Sequence, residues 1–345
     1  MPKVEQKGLD KRGTAQLVKR LHELGKTQWL ERWREHIAIP GRIDPESTNE
    51  QEREKVLRYA LLRAIINQQA VAVKARELPR ALYQAFGDQL LLEPQNVALR
   101  FPEAMEVFYQ VGGPKGGQVY HVGSLGGIKP ISLFLYRFAA FAYFISHFEG
   151  SVYRTAYEII QQEGGAANLH GWLRDDRVLQ AGWIGNDPKA CRMLVDWFVF
   201  LFCEIWKESV KVSLNDSLMI VDGHVGKVFA RTGLLDRVEH LTNSSVIYAM
   251  KMRGEIESLV AEIVGAVPFY VDNGAFYLYE DRFDTDESPN CDGCPISNGC
   301  LKYVHWTAYR NLGLPSGLKS AKTTRRHARK LHESPSLFDE IESDE

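Results

Sequence analysis

The sequence predicts an all-α protein. Three observations carry this. Through 52–87, apolar residues recur at helical spacing: Val56, Ala60, Leu61, Ala64, Ile65, then Ala70, Val71 and Val73. Ile131 to Phe148 is an apolar stretch of helical length, and Met193 to Trp206 is nearly all apolar. Behind a polar Asp222-Gly223-His224 step, Val225, Val228 and Phe229 again fall at helical spacing.

At 345 residues the chain can bury a large core in one or two domains. A hydrophobic content of 45% with 25% charged residues is that of a soluble globular protein. The net charge of -2 excludes a global attraction for nucleic acid, so any such contact must come from a local patch. The residues from Met1-Pro2-Lys3 onward are charged and lack the apolar run of a signal peptide. Five cysteines do not suggest a disulfide scaffold, and a cytoplasmic, reducing setting is expected. The 131–148 stretch is long enough to span a membrane. Arg137 within it would cost about 2.5–3.5 kcal/mol at bilayer depth, and no second span is visible, so a buried helix is expected instead.

Residues 1–57 read as a charged helical extension. Leu17, Leu21 and Leu24 share one face, and Trp29, Leu30, Trp33 and Ile37 continue the stripe past Gly25 until Ile39-Pro40-Gly41 stops it. This predicts a docking helix pair without chemistry. The 52–87 helix carries three successive amides, Asn67-Gln68-Gln69, which need partners if buried and can cap a neighbouring helix. Gly112 to Pro130 is glycine-rich but lacks the spacing of a phosphate loop, and reads as a surface loop or short hairpin offering Lys115, Tyr120, His121 and Lys129. Val152–Gln162 forms a further amphipathic helix, and Leu169, Trp172, Leu173 and Val178 lie on another.

Trp183 to Cys191 is a tight turn into a helix start, with Gly185 for a left-handed step, Asp187 as N-cap and Pro188 at the first helical position. Asp222 stands at the mouth of the Gly223–Gly233 helix, either capping it or free for chemistry, and the chain reads as helical to about Val264. Cys291-x2-Cys294-x5-Cys300, with Asp, Gly, Pro, Ser and Asn between the thiols, suits a metal site better than a core. Residues 311–345 pair a basic run (Lys319 to Lys330) with an acidic end and read as disordered. The basic run would add salt-sensitive DNA affinity.

Four of these features, in order, resemble the helix-hairpin-helix (HhH-GPD) DNA glycosylases of the endonuclease III superfamily. Val221-Asp222-Gly223-His224-Val225 resembles the family's Val-Asp-x-His-Val segment. Leu61 to Gln69 resembles its Gln-bearing helix, Gly185 to Lys189 its hairpin, and the cysteines its metal loop. The likeness runs from Arg58 to Tyr303 and implies a glycosylase core over 58–310, two helical subdomains flanking a cleft.

The resemblance implies that Asp222 is the catalytic carboxylate and that Gln68 and Gln69 reach the duplex beside an extruded nucleotide. It also implies that the turn with Gly185 and Asn186 holds a DNA phosphate through backbone N–H groups. Lys189 would be either a phosphate contact or a Schiff-base nucleophile that adds AP-lyase activity. Two departures stand out: Asp187 replaces the hairpin's second glycine, and Lys211–Leu218 looks inserted. Trp183, Tyr120, Phe269, Tyr270 and Phe276 are candidate walls for a flipped base.

Cys291, Cys294 and Cys300 match the last three ligands of a 4Fe–4S loop over 284–300, with Asp284 at the first position. Asp284, Cys191, Cys203 or His305 could complete it. A Cys3His zinc site and loss of the metal are the competitors. Ser334-Pro335-Ser336-Leu337-Phe338 resembles the end of a sliding-clamp-binding peptide without its leading Gln.

The expected activity is excision of a modified or damaged base from double-stranded DNA, the glycine-rich insertion suggesting a bulky one. One rival is a salvage N-glycosidase acting on a free nucleoside or nucleotide. The other is a DNA-binding protein with a degenerate site.

Overall fold

The computed structural model describes residues 9–70, 72–93, 100–113, 119–120, 128–185, 187–235, 246–282 and 291–301, with the side chains of 72 and 246–251 set aside. The described chain is mostly helical and contains no strands, in agreement with an all-α protein. The helices are α1 (Lys11–Ile37), α2 (Glu50–Asn67), α3 (Ala72–Phe86), α4 (Gln89–Leu92), α5 (Phe101–Gly112), α6 (Pro130–His147) and α7 (Val152–Ile160). They continue with α8 (Gly165–Asp175), α9 (Arg177–Gly182), α10 (Lys189–Phe200), α11 (Gly223–Thr232), α12 (Val246–Ala261) and α13 (Pro268–Arg282).

Apolar side chains gather into two cores. The larger holds Trp29, Trp33 and Ile37 of α1, the buried length of α2, and the inner faces of α3 to α10. The smaller holds Leu17, Val18 and Leu21 from the start of α1, then Met219, Val221, the apolar face of α11, Met252, Ile256 and Val260 of α12, and Val271, Ala275 and Leu278 of α13. Two elements, α1 and α13, contribute to both cores.

The expected helix pair in the extension is a single helix of 27 residues. It runs straight through Gly25 because that glycine sits against α13. A Cβ on Gly25 would lie 1.8 Å from the Tyr270 carbonyl oxygen, and one on Gly274 1.9 Å from that of Leu21. Only hydrogen fits between these two backbones.

Two expected helices are divided. The 52–87 helix breaks after Asn67, and Gln69 takes the left-handed conformation (φ 56). Arg137, buried in α6, donates to the Gln68 carbonyl and, at 3.3 Å, to Gln69 Oε1. The 165–182 region splits at Asp176, whose carboxylate caps α9 through Val178 N and Leu179 N. The helix after Asp222 ends at Gly233 as expected, that glycine adopting φ 84. The apolar 193–206 stretch is buried as expected, α10 passing into a π-turn at Leu201–Ile205.

Arg137 is 1% exposed, packed 5.0 Å from the ring centre of Tyr120 rather than facing lipid. Among the described residues no single helix is long and apolar enough to cross a membrane. Only α6 and α7 taken together pass by length and composition, and they are bent by 84°.

Candidate active site

Lys189 is the first residue of α10 and Asp222 the N-cap of α11, so two helix N-termini meet here. Oδ1 of Asp222 accepts from His224 N and Val225 N, both at 2.9 Å, and Oδ2 accepts from Lys189 Nζ at 2.5 Å. The carboxylate caps the helix with one oxygen and faces a cation with the other. The cap suits its charge, because unpaired N–H groups and the helix dipole favour an anion there. The same dipole disfavours a lysine at the start of α10, and Asp222 offsets that.

The Asp222 side chain is 10% exposed and that of Lys189 51%. Burial alone would raise the Asp222 pKa. The Lys189 ammonium, His224 and the hydrogen bonds from Lys189 and Val225 overcome it and hold the value at about 2. A buried, ionised carboxylate paired to a solvent-reaching amine is the result.

Two further acids set its position. Asp196 is the one acid in the apolar run of α10, and its Oδ1 accepts from Leu218 N at 2.6 Å. Asp272 of α13 accepts from Ile220 N at 2.6 Å. Alternate N–H groups of the extended segment leading to Asp222 are therefore pinned from both helices. Arg192 adds a bond to the Met219 carbonyl at 2.8 Å. Burial pushes both acids well above the usual carboxylate range, with Asp272 raising Asp196 and Asp222 raising Asp272.

The turn before Lys189 differs from expectation. Pro188, not Asp187, occupies the N-cap, without a side-chain capping bond. Asp187 instead accepts from Arg253 at 2.6 Å and Arg192 at 3.2 Å, with His170 Nε2 at 3.4 Å. Two guanidinium groups nearby make a stronger claim on the carboxylate than one backbone N–H. Gly185 takes φ 80, the left-handed step expected of it, with open space where a Cβ would stand. Asn186 lies outside the described residues.

Gln68 is buried, and its side chain is fully engaged: Nε2 donates to the carbonyls of Ile65 (2.9 Å) and Gly182 (2.7 Å), and Oε1 accepts from Ile184 N (2.7 Å). It holds the turn that carries Gly185. Trp183 is buried, donating to the Leu173 carbonyl at 2.9 Å. Tyr120, Phe269 and Tyr270 are core residues of the larger cluster.

Of the aromatic candidates, Phe276 alone borders the site, its ring centre 5.8 Å from that of His224. Tyr279, one turn further along α13, is a neighbour that the aromatic candidates omit. It packs 4.2 Å from His224 and accepts from Lys227 Nζ at 3.1 Å. Its spacing of three from Phe276 was the available signal.

Cys291 and Cys294 share a turn closed by Cys294 N to the Cys291 carbonyl at 3.3 Å. Among the described residues no group of three or more His, Cys, Asp or Glu side chains is placed to hold a metal ion. Asp284, His305 and Ser334–Phe338 lie outside the described residues, as do the basic run and Lys115 and His121. No protein-family model, curated protein or solved structure matches this chain.

Proposed function

We propose that this chain is an N-glycosylase, with a modified or damaged base in double-stranded DNA as substrate. What supports the reading is the Asp222–Lys189 pair at 2.5 Å, one group buried and ionised, the other open to solvent. Breaking an N-glycosidic bond builds positive charge on the sugar, and a preorganised carboxylate stabilises that charge. Ionised down to about pH 2, Asp222 needs no deprotonation at neutral pH. Its low pKa makes it an electrostatic stabiliser and a poor general base.

Lys189 sets the outcome of the reaction. If the pair opens and the amine gives its proton to water, the nitrogen can attack C1′ as the base departs. The resulting Schiff base leads to strand cleavage by β-elimination. If the pair stays closed, water is the nucleophile. The likeness to the HhH-GPD glycosylases points the same way through Asp222 and Lys189.

A second reading keeps the chemistry and changes the substrate to a free nucleoside or nucleotide. Asp187 favours it, since a carboxylate stands where the DNA hairpin of those enzymes has glycine.

Borohydride trapping on a duplex with one abasic site tests the DNA reading. A covalent adduct formed by wild type and lost in Lys189→Ala is expected. Base release should fall about 100- to 1,000-fold in Asp222→Asn, the scale for losing one preorganised electrostatic group. Asn retains the cap, so the fold survives. Undiminished base release by Asp222→Asn would sink the glycosylase reading.

A further inference from the structure

Four arginines unused by the reading above converge where α1, α2 and α3 approach α13. Arg63, in the middle of α2, is 2% exposed. It donates to the Glu35 carbonyl at 2.9 Å, meets His36 Nδ1 at 2.9 Å, and lies 5.3 Å from the ring centre of Trp197. Arg80 of α3 donates to the same carbonyl at 3.1 Å. Arg76, one turn earlier, stands 3.6 Å from Glu35 Oε2, and Arg32 lies over the Tyr277 ring at 5.3 Å.

One unpaired carbonyl in the last turn of α1 explains one arginine, not four. Nor does it use the donors fully. Nε of Arg63 and Nε of Arg80 are shut off from solvent with no hydrogen-bond partner. The buried Tyr59 hydroxyl lies beside Arg63 and Arg80, but a neutral acceptor does not offset the guanidinium charge gathered here. The carboxylates facing the cluster are Glu35 and Glu280, against Arg32, Arg63, Arg76 and Arg80. His36 adds no charge to offset, since burial and the surrounding arginines keep its pKa low. Helix α13 links the cluster to the candidate active site: Tyr277 lies under Arg32, and the adjacent Phe276 stands against His224.

We infer that this arginine cluster binds a phosphate group, carried by the same molecule whose glycosidic bond faces Asp222. The inference rests on the proposed function for the identity of that molecule. Planar guanidinium groups suit phosphate oxygens, which accept several charge-assisted hydrogen bonds at once. The phosphate is either a diester of duplex DNA or the monoester of a free nucleotide.

The test uses the full chain and two probes: a fluorescein-labelled duplex with a tetrahydrofuran abasic analogue, followed by anisotropy, and deoxynucleoside 5′-monophosphates, followed by calorimetry. Arg76→Ala and the double variant Arg76→Ala/Arg80→Ala are compared with wild type. Arg76→Ala leaves both bonds to the Glu35 carbonyl in place, so it keeps the test decisive if the double variant does not fold. Binding about tenfold weaker per arginine removed is expected. On the duplex, the salt dependence should also fall by about one phosphate contact.

Weakening on the duplex assigns a diester, and weakening on the monophosphates alone assigns a free nucleotide. Either outcome supports the cluster. Affinities within twofold of wild type in a folded Arg76→Ala, or no binding of either probe by wild type, would overturn it. Base release by Asp222→Asn is read separately. The glycosylase reading can therefore fail while phosphate binding by the arginines holds.

Discussion

Asp222 divides its two oxygens between a helix cap and Lys189 and titrates low despite its burial, whereas burial drives Asp196 and Asp272 the other way. Asp222 is compensated by a cation, and its folded pKa lies below the ordinary value of about 3.9. Its contribution to stability is present above that value and is lost as pH falls towards about 2. Asp196 and Asp272 accept backbone N–H bonds, which do not offset their burial, and their folded pKa values rise. Their contribution is complete below the ordinary carboxylate range and is lost as pH climbs through the folded values. Asp196→Asn should therefore gain stability relative to wild type as pH rises, measured by thermal melts from about pH 4 to 9. Parallel curves for the two proteins would show that Asp196 does not titrate in this way. Both acids could be noticed in the sequence as lone charges among apolar neighbours. Their partners could not, since Leu218 N and Ile220 N belong to a segment whose path only packing defines.

Helices α1 and α13 cross with glycine facing backbone on both sides. Gly25 is visible in the sequence as a gap in an apolar stripe, where a break between two helices is the natural reading. Close approach of a second helix gives the residue another purpose. Gly25→Ala would place a methyl 1.8 Å from the Tyr270 carbonyl oxygen, and neither backbone can yield without separating the helices. A loss of about 2–3 kcal/mol is expected from overpacking, read as a lower urea midpoint with an unchanged slope. An unchanged midpoint would mean that the crossing relaxes freely. The break in the 52–87 pattern has a comparable origin: its amides carry no stop signal, and Arg137 from another helix holds Gln69 in the left-handed region.

Over the whole molecule, two cores meet at the Lys189–Asp222 pair, one carrying each partner's helix, while α1 and α13 join them. The start of α1 supplies Leu17, Val18 and Leu21 to the smaller core. At about 1.5–3 kcal/mol per buried side chain, these three rival a typical net stability of about 5–15 kcal/mol. Truncation to Gly25 should thus strip amide hydrogen-exchange protection from α11 and α13 and abolish the proposed base release. Retained protection there would show that the smaller core stands without α1. The helical extension docks on both cores, and in doing so it is part of the frame that carries Asp222.

Apolar periodicity by itself determined that the described chain is helical, and local backbone chemistry determined the carboxylate at the mouth of α11 and the left-handed Gly185. These properties depend on neighbours within one or two turns, which a sequence displays directly. Tertiary structure alone decided that Lys189 and Asp222 meet, that Gln68 faces inward to the turn, and that Asp187 serves two arginines instead of a helix cap. It also gathered Arg32, Arg63, Arg76 and Arg80 from three helices. Each of these depends on distances between segments far apart in the chain. There, burial and charge select among partners that the sequence lists without ranking.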